Sequence, residues 1–205
     1  MPVHLSDIDW PLHTARLLIR PARPDDLQAA WRIRRLPGVS EWLSGRTGDL
    51  TSYGAAFLDP DRLGRTLALE LDGRVVGDFM VAIENGWAQD EIKEQAVGVQ
   101  AELGWVLDPA SGGRGLATEA LVAVLRLCFV GLGLRRVTAG CFADNTASWH
   151  LMERVGMRRE VHTVRESLHR SGRWLDGFGY ALLADEWSTR VDEGPTKLPG
   201  AGTTG

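Results

Sequence analysis

The ten residues SGGRGLATEA, Ser111 to Ala120, set Gly112, Gly113 and Gly115 directly before a long apolar run. Glycine permits positive φ and lets another body approach the backbone closely. The first turn of a helix carries N–H groups with no intrahelical partner and the positive end of the helix dipole. A glycine loop feeding a helix is therefore a ready anion site. What stands on either side of it decides the fold.

Before the loop, hydrophobicity alternates. Val97, Val99, Ala101, Leu103, Trp105 and Leu107 take one face; Gly98, Gln100, Glu102, Gly104 and Val106 take the other, which predicts a strand ended by Asp108-Pro109. After it, residues 116–130 are apolar nearly all round and predict a buried helix. RRVTAGCF alternates as a strand, and DNTASWHLMERVG predicts a helix with Asn145 as N-cap and Gly156 in the C-cap position. Two strands follow, residues 157–168 and 174–183, turning at Ser171-Gly172.

Towards the N-terminus, RTLALELDGRVVGDFMVAIE is two apolar runs about Asp72-Gly73, a strong hairpin signal. The polar residues 85–96 predict a loop. TARLLIRPA, from Thr14, predicts a first strand, and the helix opening at Pro24 has Asp25 and Gln28 in capping-box positions. A shorter helix fits within residues 49–58. This order predicts a single α/β domain: one twisted mixed sheet with helices on both faces.

The 205 residues suffice for a substantial core, and 44% hydrophobic with 24% charged residues is a soluble globular composition. A net charge of −4 argues against a general nucleic-acid binder. The N-terminus lacks the pattern of a signal peptide, and residues 120–134 are too short for a membrane span. The two cysteines, Cys128 and Cys141, sit among apolar neighbours and read as reduced thiols. The five histidines show no metal-ligand spacing, so no metal is expected. A cytoplasmic protein is the expectation. Residues 188–205, rich in Gly, Pro and Thr, are expected to form a disordered tail.

The loop fails the dinucleotide fingerprint, because Thr118 stands where a third glycine belongs, and fails the Walker pattern for want of a Gly-Lys-Ser/Thr. G-x-G-x-A from Gly113 to Ala117, with ATEA, does match another pattern. With NTASWHLMERVGM, ARLLIRPARPDD and RWLDGFGYALLADEW, it resembles the GNAT superfamily of acyl-CoA N-acyltransferases. The nearer likeness is to the RimJ/RimL branch, which includes N-terminal acetyltransferases of ribosomal proteins. Gly112 departs from the branch's usual Gln or Arg, and Met157 replaces its aromatic. The resemblance covers residues 12–187, the expected domain.

The resemblance implies acetyl-CoA as cosubstrate. The pyrophosphate would meet the backbone of Gly112, Gly113, Arg114, Gly115, Leu116, Ala117 and Thr118. The pantetheine arm would lie along Val106 and Leu107 and against Asn145. Glu102, on the strand before the loop, is the candidate base for the amine, directly or through a water. Ser148 is the candidate acid for the departing thiolate, although a serine there also serves a helix start. Asp176 and Tyr180, on the last strand, are candidates for acceptor binding, and Trp42 and Trp87 fall in segments that border the expected acceptor cleft.

The acceptor would be a protein N-terminus or a small amine. Dimers are common in the branch, and nothing in the sequence decides that point. Two alternatives stay open: a non-catalytic acyl-CoA sensor, and a transferase for another acyl group such as succinyl, which would need an arginine-lined acyl pocket.

Overall fold

A computed structural model describes residues 4–192. Its centre is one eight-stranded sheet in the order β1-β2-β3-β4-β5-β6-β8-β7. The strands are β1 (Leu12–His13), β2 (Leu18–Pro21), β3 (Thr66–Leu71), β4 (Arg74–Glu84), β5 (Gln100–Leu107), β6 (Arg136–Phe142), β7 (Arg158–Leu168) and β8 (Trp174–Leu183). All neighbours are antiparallel except β5 and β6. The helices are α1 (Leu27–Arg34), α2 (Pro37–Ser40), α3 (Leu50–Phe57), α4 (Pro60–Gly64), α5 (Leu116–Arg126), α6 (Thr146–Arg154) and α7 (Ala184–Asp192).

The expected mixed sheet with helices on both faces is the observed architecture. Helix α5 buries Leu116, Ala120, Leu121, Val124 and Leu125 against sheet residues that include Leu67, Phe79, Val81 and Leu103. On the other side, Ala30 of α1 packs with Tyr53 and Phe57 of α3 in a smaller cluster. Asp72 (φ 50°) and Gly73 (φ 74°) form the β3–β4 hairpin turn where expected, since both central residues of a type I′ turn need positive φ.

The parallel pair is short. β5 and β6 pair only at Gln100–Arg136, Ala101–Val137 and Glu102–Thr138. Beyond Glu102, β5 stays with β4, Leu103 opposite Val81 through Leu107 opposite Gly77. Beyond Thr138, β6 stays with β8, Ala139 opposite Tyr180 through Phe142 opposite Gly177. The sheet thus splits along a seam, leaving one edge of residues 103–107 without a strand partner.

Several local expectations need correction. The long apolar helix ends as α5 at Arg126 and continues as a wider π turn over Leu127–Gly131. It is not buried all round: Val122 and Val130 are exposed, because they lie off the sheet-facing stripe. A 3-10 turn at Pro24–Asp26 precedes α1, and Asp26, not Asp25, accepts the Arg23 N–H at 2.7 Å. The loop 85–96 contains a 3-10 segment, Asp90–Ala96. Residues 188–192 close α7; the rest of the expected tail, 193–205, lies outside the described residues. Among the described residues, no helix is long and apolar enough to cross a membrane.

Candidate active site

The seam opens into a cavity of about 870 Å³. One wall is the free edge of β5, with Leu103, Gly104, Trp105, Val106 and Leu107, backed by Asp78 and Met80 of β4. The facing wall is Gly140 and Cys141 of β6 with Asn145, Ser148 and Leu151 at α6. One end is the glycine loop, and a roof runs through Trp42, Thr47, Tyr53 and Arg62.

The loop has the shape its sequence implies. Asp108 accepts the Ala110 N–H at 3.0 Å and caps the 3-10 turn Pro109–Ser111. Gly113 (φ 71°) and Gly115 (φ 76°) then reverse the chain into α5. Gly115 is the N-cap, so no side chain claims the first-turn N–H groups of α5, the arrangement in which a helix start can accept an anion. The loop is tied from outside: Arg16 Nη1 donates to the Arg114 carbonyl at 2.8 Å, and Arg16 pairs with Glu119 at 2.7 Å. Thr14 adds a 2.6 Å bond to the same carboxylate. Burial works against ionisation of Glu119, but the bonds from Thr14 and Arg16 outweigh it and hold its pKa below the ordinary range.

On the facing wall, the Asn145 carboxamide accepts the Ser148 N–H at 3.3 Å, the N-cap expected from the sequence. That bond occupies the Ser148 backbone and leaves the hydroxyl on the cavity wall, half-buried beside Cys141. Burial pushes the Cys141 thiol up to about 11, against smaller opposing effects of Ser148 and Arg159. Cys128 is fully buried in the core.

Of the residues singled out from sequence, the structure brings Val106, Leu107, Gly112, Gly113, Ala117, Asn145 and Ser148 into the cavity wall. Trp42 lines it too, whereas Trp87 is 93% exposed elsewhere. Arg114 is exposed, Leu116 is buried in the core, and Thr118 receives a 3.4 Å bond from Arg154. Glu102 is exposed just outside the lining, at the last position where β5 and β6 still pair.

Asp176 and Tyr180 do not reach the cleft. Asp176 is engaged by His162 Nε2 at 2.7 Å and by the Arg165 N–H at 3.0 Å. Tyr180 is 2% exposed and donates to Glu153 at 2.7 Å while accepting from Arg159 at 2.9 Å. β8 pairs with β6 on the far side of the seam, so its side chains pack against α6 and β7 instead.

Sequence reading missed the wall built by α1, α3 and β4. Arg34 Nη2 donates to Asp78 Oδ1, and the two form an ion pair with side-chain exposures of 17% and 8%. Tyr53 is 4% exposed; its hydroxyl and Arg34 Nε are buried without a hydrogen-bond partner. Burial pushes the Tyr53 phenol up, with Arg34 and Arg62 opposing. A signal existed for Asp78, a charge inside the apolar strand RVVGDFMVAIE, since buried carboxylates are almost always paired.

The roof is strapped across the cleft. The His169 Nε2 lies 3.0 Å from the Glu41 carbonyl, and Arg170 Nη2 donates to the Leu43 carbonyl at 2.5 Å. The Trp42 and His169 rings stand 5.6 Å apart, and Phe142 contacts both.

Residues 16–158 match the family model described as an acetyltransferase (GNAT) domain. The uncharacterized N-acetyltransferase YnaD of Bacillus subtilis strain 168 is 36% identical over 87 residues, 42% of this chain; the match spans about half of that relative (51%). The uncharacterized N-acetyltransferase p20 of Bacillus licheniformis is 24% identical over 86% of this chain and 98% of its own. Among solved structures, a GNAT-family acetyltransferase from Bacillus anthracis aligns with a TM-score of 0.68 at 26% identity, over 86% of this chain and 100% of that one. Mycobacterium smegmatis RimJ, solved with CoA-disulfide, aligns with a TM-score of 0.69 at 26% identity, over 90% and 93%. The family model spans well over half of the chain, on a sheet that splits at its parallel pair: the chain belongs to the GNAT acetyltransferase family.

Proposed function

We propose that the protein moves the acetyl group of acetyl-CoA directly to a primary amine. The carrying observation is the seam: an unpartnered β5 edge faces the Ser148 hydroxyl across a cavity that ends at the N-terminus of α5. Acetyl-CoA supplies the activated acyl group. Backbone N–H groups of residues 112–117 hold its pyrophosphate. The edge at Val106 and Leu107 pairs with the pantetheine amides as an added strand would, and Asn145 contacts the same arm. An edge N–H stabilises charge developing on the thioester oxygen. As the C–N bond forms and the C–S bond breaks, the amine gives up a proton to Glu102 or its water, and the Ser148 hydroxyl protonates the thiolate and regains a proton from solvent.

Glu102 is the proposed base. It shares a sheet face with Gly104, Val106 and Asp78, since Glu102 lies opposite Ala82, Gly104 opposite Met80 and Val106 opposite Asp78. It stands two residues from Gly104, ~7 Å along the strand, within reach of an amine through a water. The CoA-bound RimJ neighbour supports the RimJ/RimL branch.

Thiol release from acetyl-CoA against a panel of amino acids, polyamines and N-terminal peptides tests this reading, with the acetylated product confirmed by mass. Amine-dependent release is the expected result. Acetyl-CoA binding measured by calorimetry, with no release for any amine, would replace the transferase with a non-catalytic binder.

A further inference from the structure

The cavity wall opposite the thiol side is cationic. Five arginines line the cavity (Arg34, Arg46, Arg62, Arg65 and Arg154) against two aspartates, Asp78 and Asp108. Arg34 neutralises Asp78, and Asp108 caps its own turn at the loop. Among the described residues, no carboxylate pairs with Arg46, Arg62 or Arg65. Arg62 lies over the Tyr53 ring, 5.2 Å from its centroid. The Tyr53 hydroxyl, buried in the same wall next to Arg34, makes no hydrogen bond of normal geometry. A buried hydroxyl left without a hydrogen bond is unfavourable, so the pair Tyr53 and Arg62 presents two donors that an acceptor of negative charge would satisfy.

Resting on the transferase reading above, we infer that the acceptor is a small amine bearing a carboxylate, of the α-amino-acid type, whose carboxylate is held by Tyr53 and Arg62. Tyr53 and Arg62 line the same cavity as Asp78 of β4, which lies opposite Val106, so this subsite belongs to the roof on the β4 side of the β5 edge. An anion held there lies on the opposite wall from Ser148 and Cys141, away from an acyl group between β5 and Ser148. The surrounding arginines also disfavour an ammonium and so favour the neutral amine that attacks. For a polyamine, the described lining offers only Asp108, at the glycine-loop end, as a carboxylate without an arginine partner. The cavity of about 870 Å³ must hold the pantetheine end as well, and the strapped roof covers it, which favours a small acceptor over a protein N-terminus.

The test has a catalytic and a binding arm. Thiol release is compared for the α-amino acids and their neutral amides, with spermidine and N-terminal peptides alongside and succinyl-CoA as a second donor. At least tenfold higher kcat/KM for the best acid than for its amide is expected, and this ratio should collapse to within about threefold in Tyr53→Phe/Arg62→Gln. Independently of turnover, calorimetry on the CoA-saturated protein should show the N-acetylated acids binding at least tenfold more tightly than the N-acetylated amides. Equal binding of acids and amides, a preference for spermidine or peptides, or a preference for succinyl-CoA would overturn the inference. Preferential binding of the acids without turnover of any amine would keep the anion subsite and remove the transferase reading.

Discussion

Arg34 on α1 and Asp78 on β4, 44 residues apart in sequence, form an ion pair inside the cavity wall. The pair fastens the helical roof to the strand beside the free β5 edge. Removing one partner of a buried pair leaves an uncompensated charge and costs about 3–5 kcal/mol, whereas replacing both by apolar groups is often neutral. Arg34→Met should therefore lose about that much in urea denaturation, and Arg34→Met/Asp78→Leu should recover most of it. A single variant within about 1 kcal/mol of wild type would show that the pair does not hold the roof.

Ser148→Ala keeps the N-cap bond, which uses the Ser148 backbone. Its effect should fall on kcat/KM, with at least a tenfold loss, or ~1.4 kcal/mol of transition-state stabilisation, and little change in melting temperature. Glu102→Gln should produce a comparable loss with an altered pH profile. An unchanged rate in either variant removes that residue from the mechanism.

Gly115 enters α5 from the left-handed region at φ 76°. A Cβ there is strained by about 1–2 kcal/mol. Gly115→Ala should raise the KM for acetyl-CoA more than it lowers kcat, because the strain falls on the loop proposed to hold the pyrophosphate. Steady-state kinetics with the acceptor saturating would show it; a pure kcat effect would contradict the loop's assignment.

Cys141, pushed up to about 11 by burial, is a thiol at neutral pH. Only the thiolate alkylates. Iodoacetamide at pH 8 should label the native protein on the order of 100-fold more slowly than an unperturbed cysteine of pKa about 8.5–9. Rapid single-site labelling, located by peptide mass mapping, would be inconsistent with this environment.

Acid should weaken the fold through Asp26. Burial disfavours its charge, but Arg20, bonded to it at 2.7 and 2.8 Å, and the Arg23 N–H outweigh that and hold its pKa below the ordinary value. A carboxylate whose folded pKa is depressed stabilises fully above its unfolded pKa, about 3.9, and loses that contribution as pH falls through the folded value. Between pH 6 and pH 3, wild type should lose more stability than Asp26→Asn, as read by urea midpoints. Equal losses would assign the acid sensitivity to other groups.

The elements that could be read from sequence are those whose causes are local. Asp72-Gly73 demands a tight hairpin because both residues must take positive φ. The N-cap Asn145 and the glycines before α5 are likewise decided within a few residues, by backbone donors that need a partner or a cleared path. Alternation marked β5 and β6 but carried no information on where their pairing stops. That depends on β4 and β8 each retaining one strand, which only the assembled sheet decides. Likewise, Tyr180 reads as a cleft residue on a final strand until packing turns it onto Glu153 and Arg159. Arg34, Tyr53, Arg62 and Asp78 share no motif, because their meeting is set by α1, α3 and α4 folding over β4. Local backbone chemistry thus determined the glycine-loop end of the cavity, and long-range burial decided its helical roof.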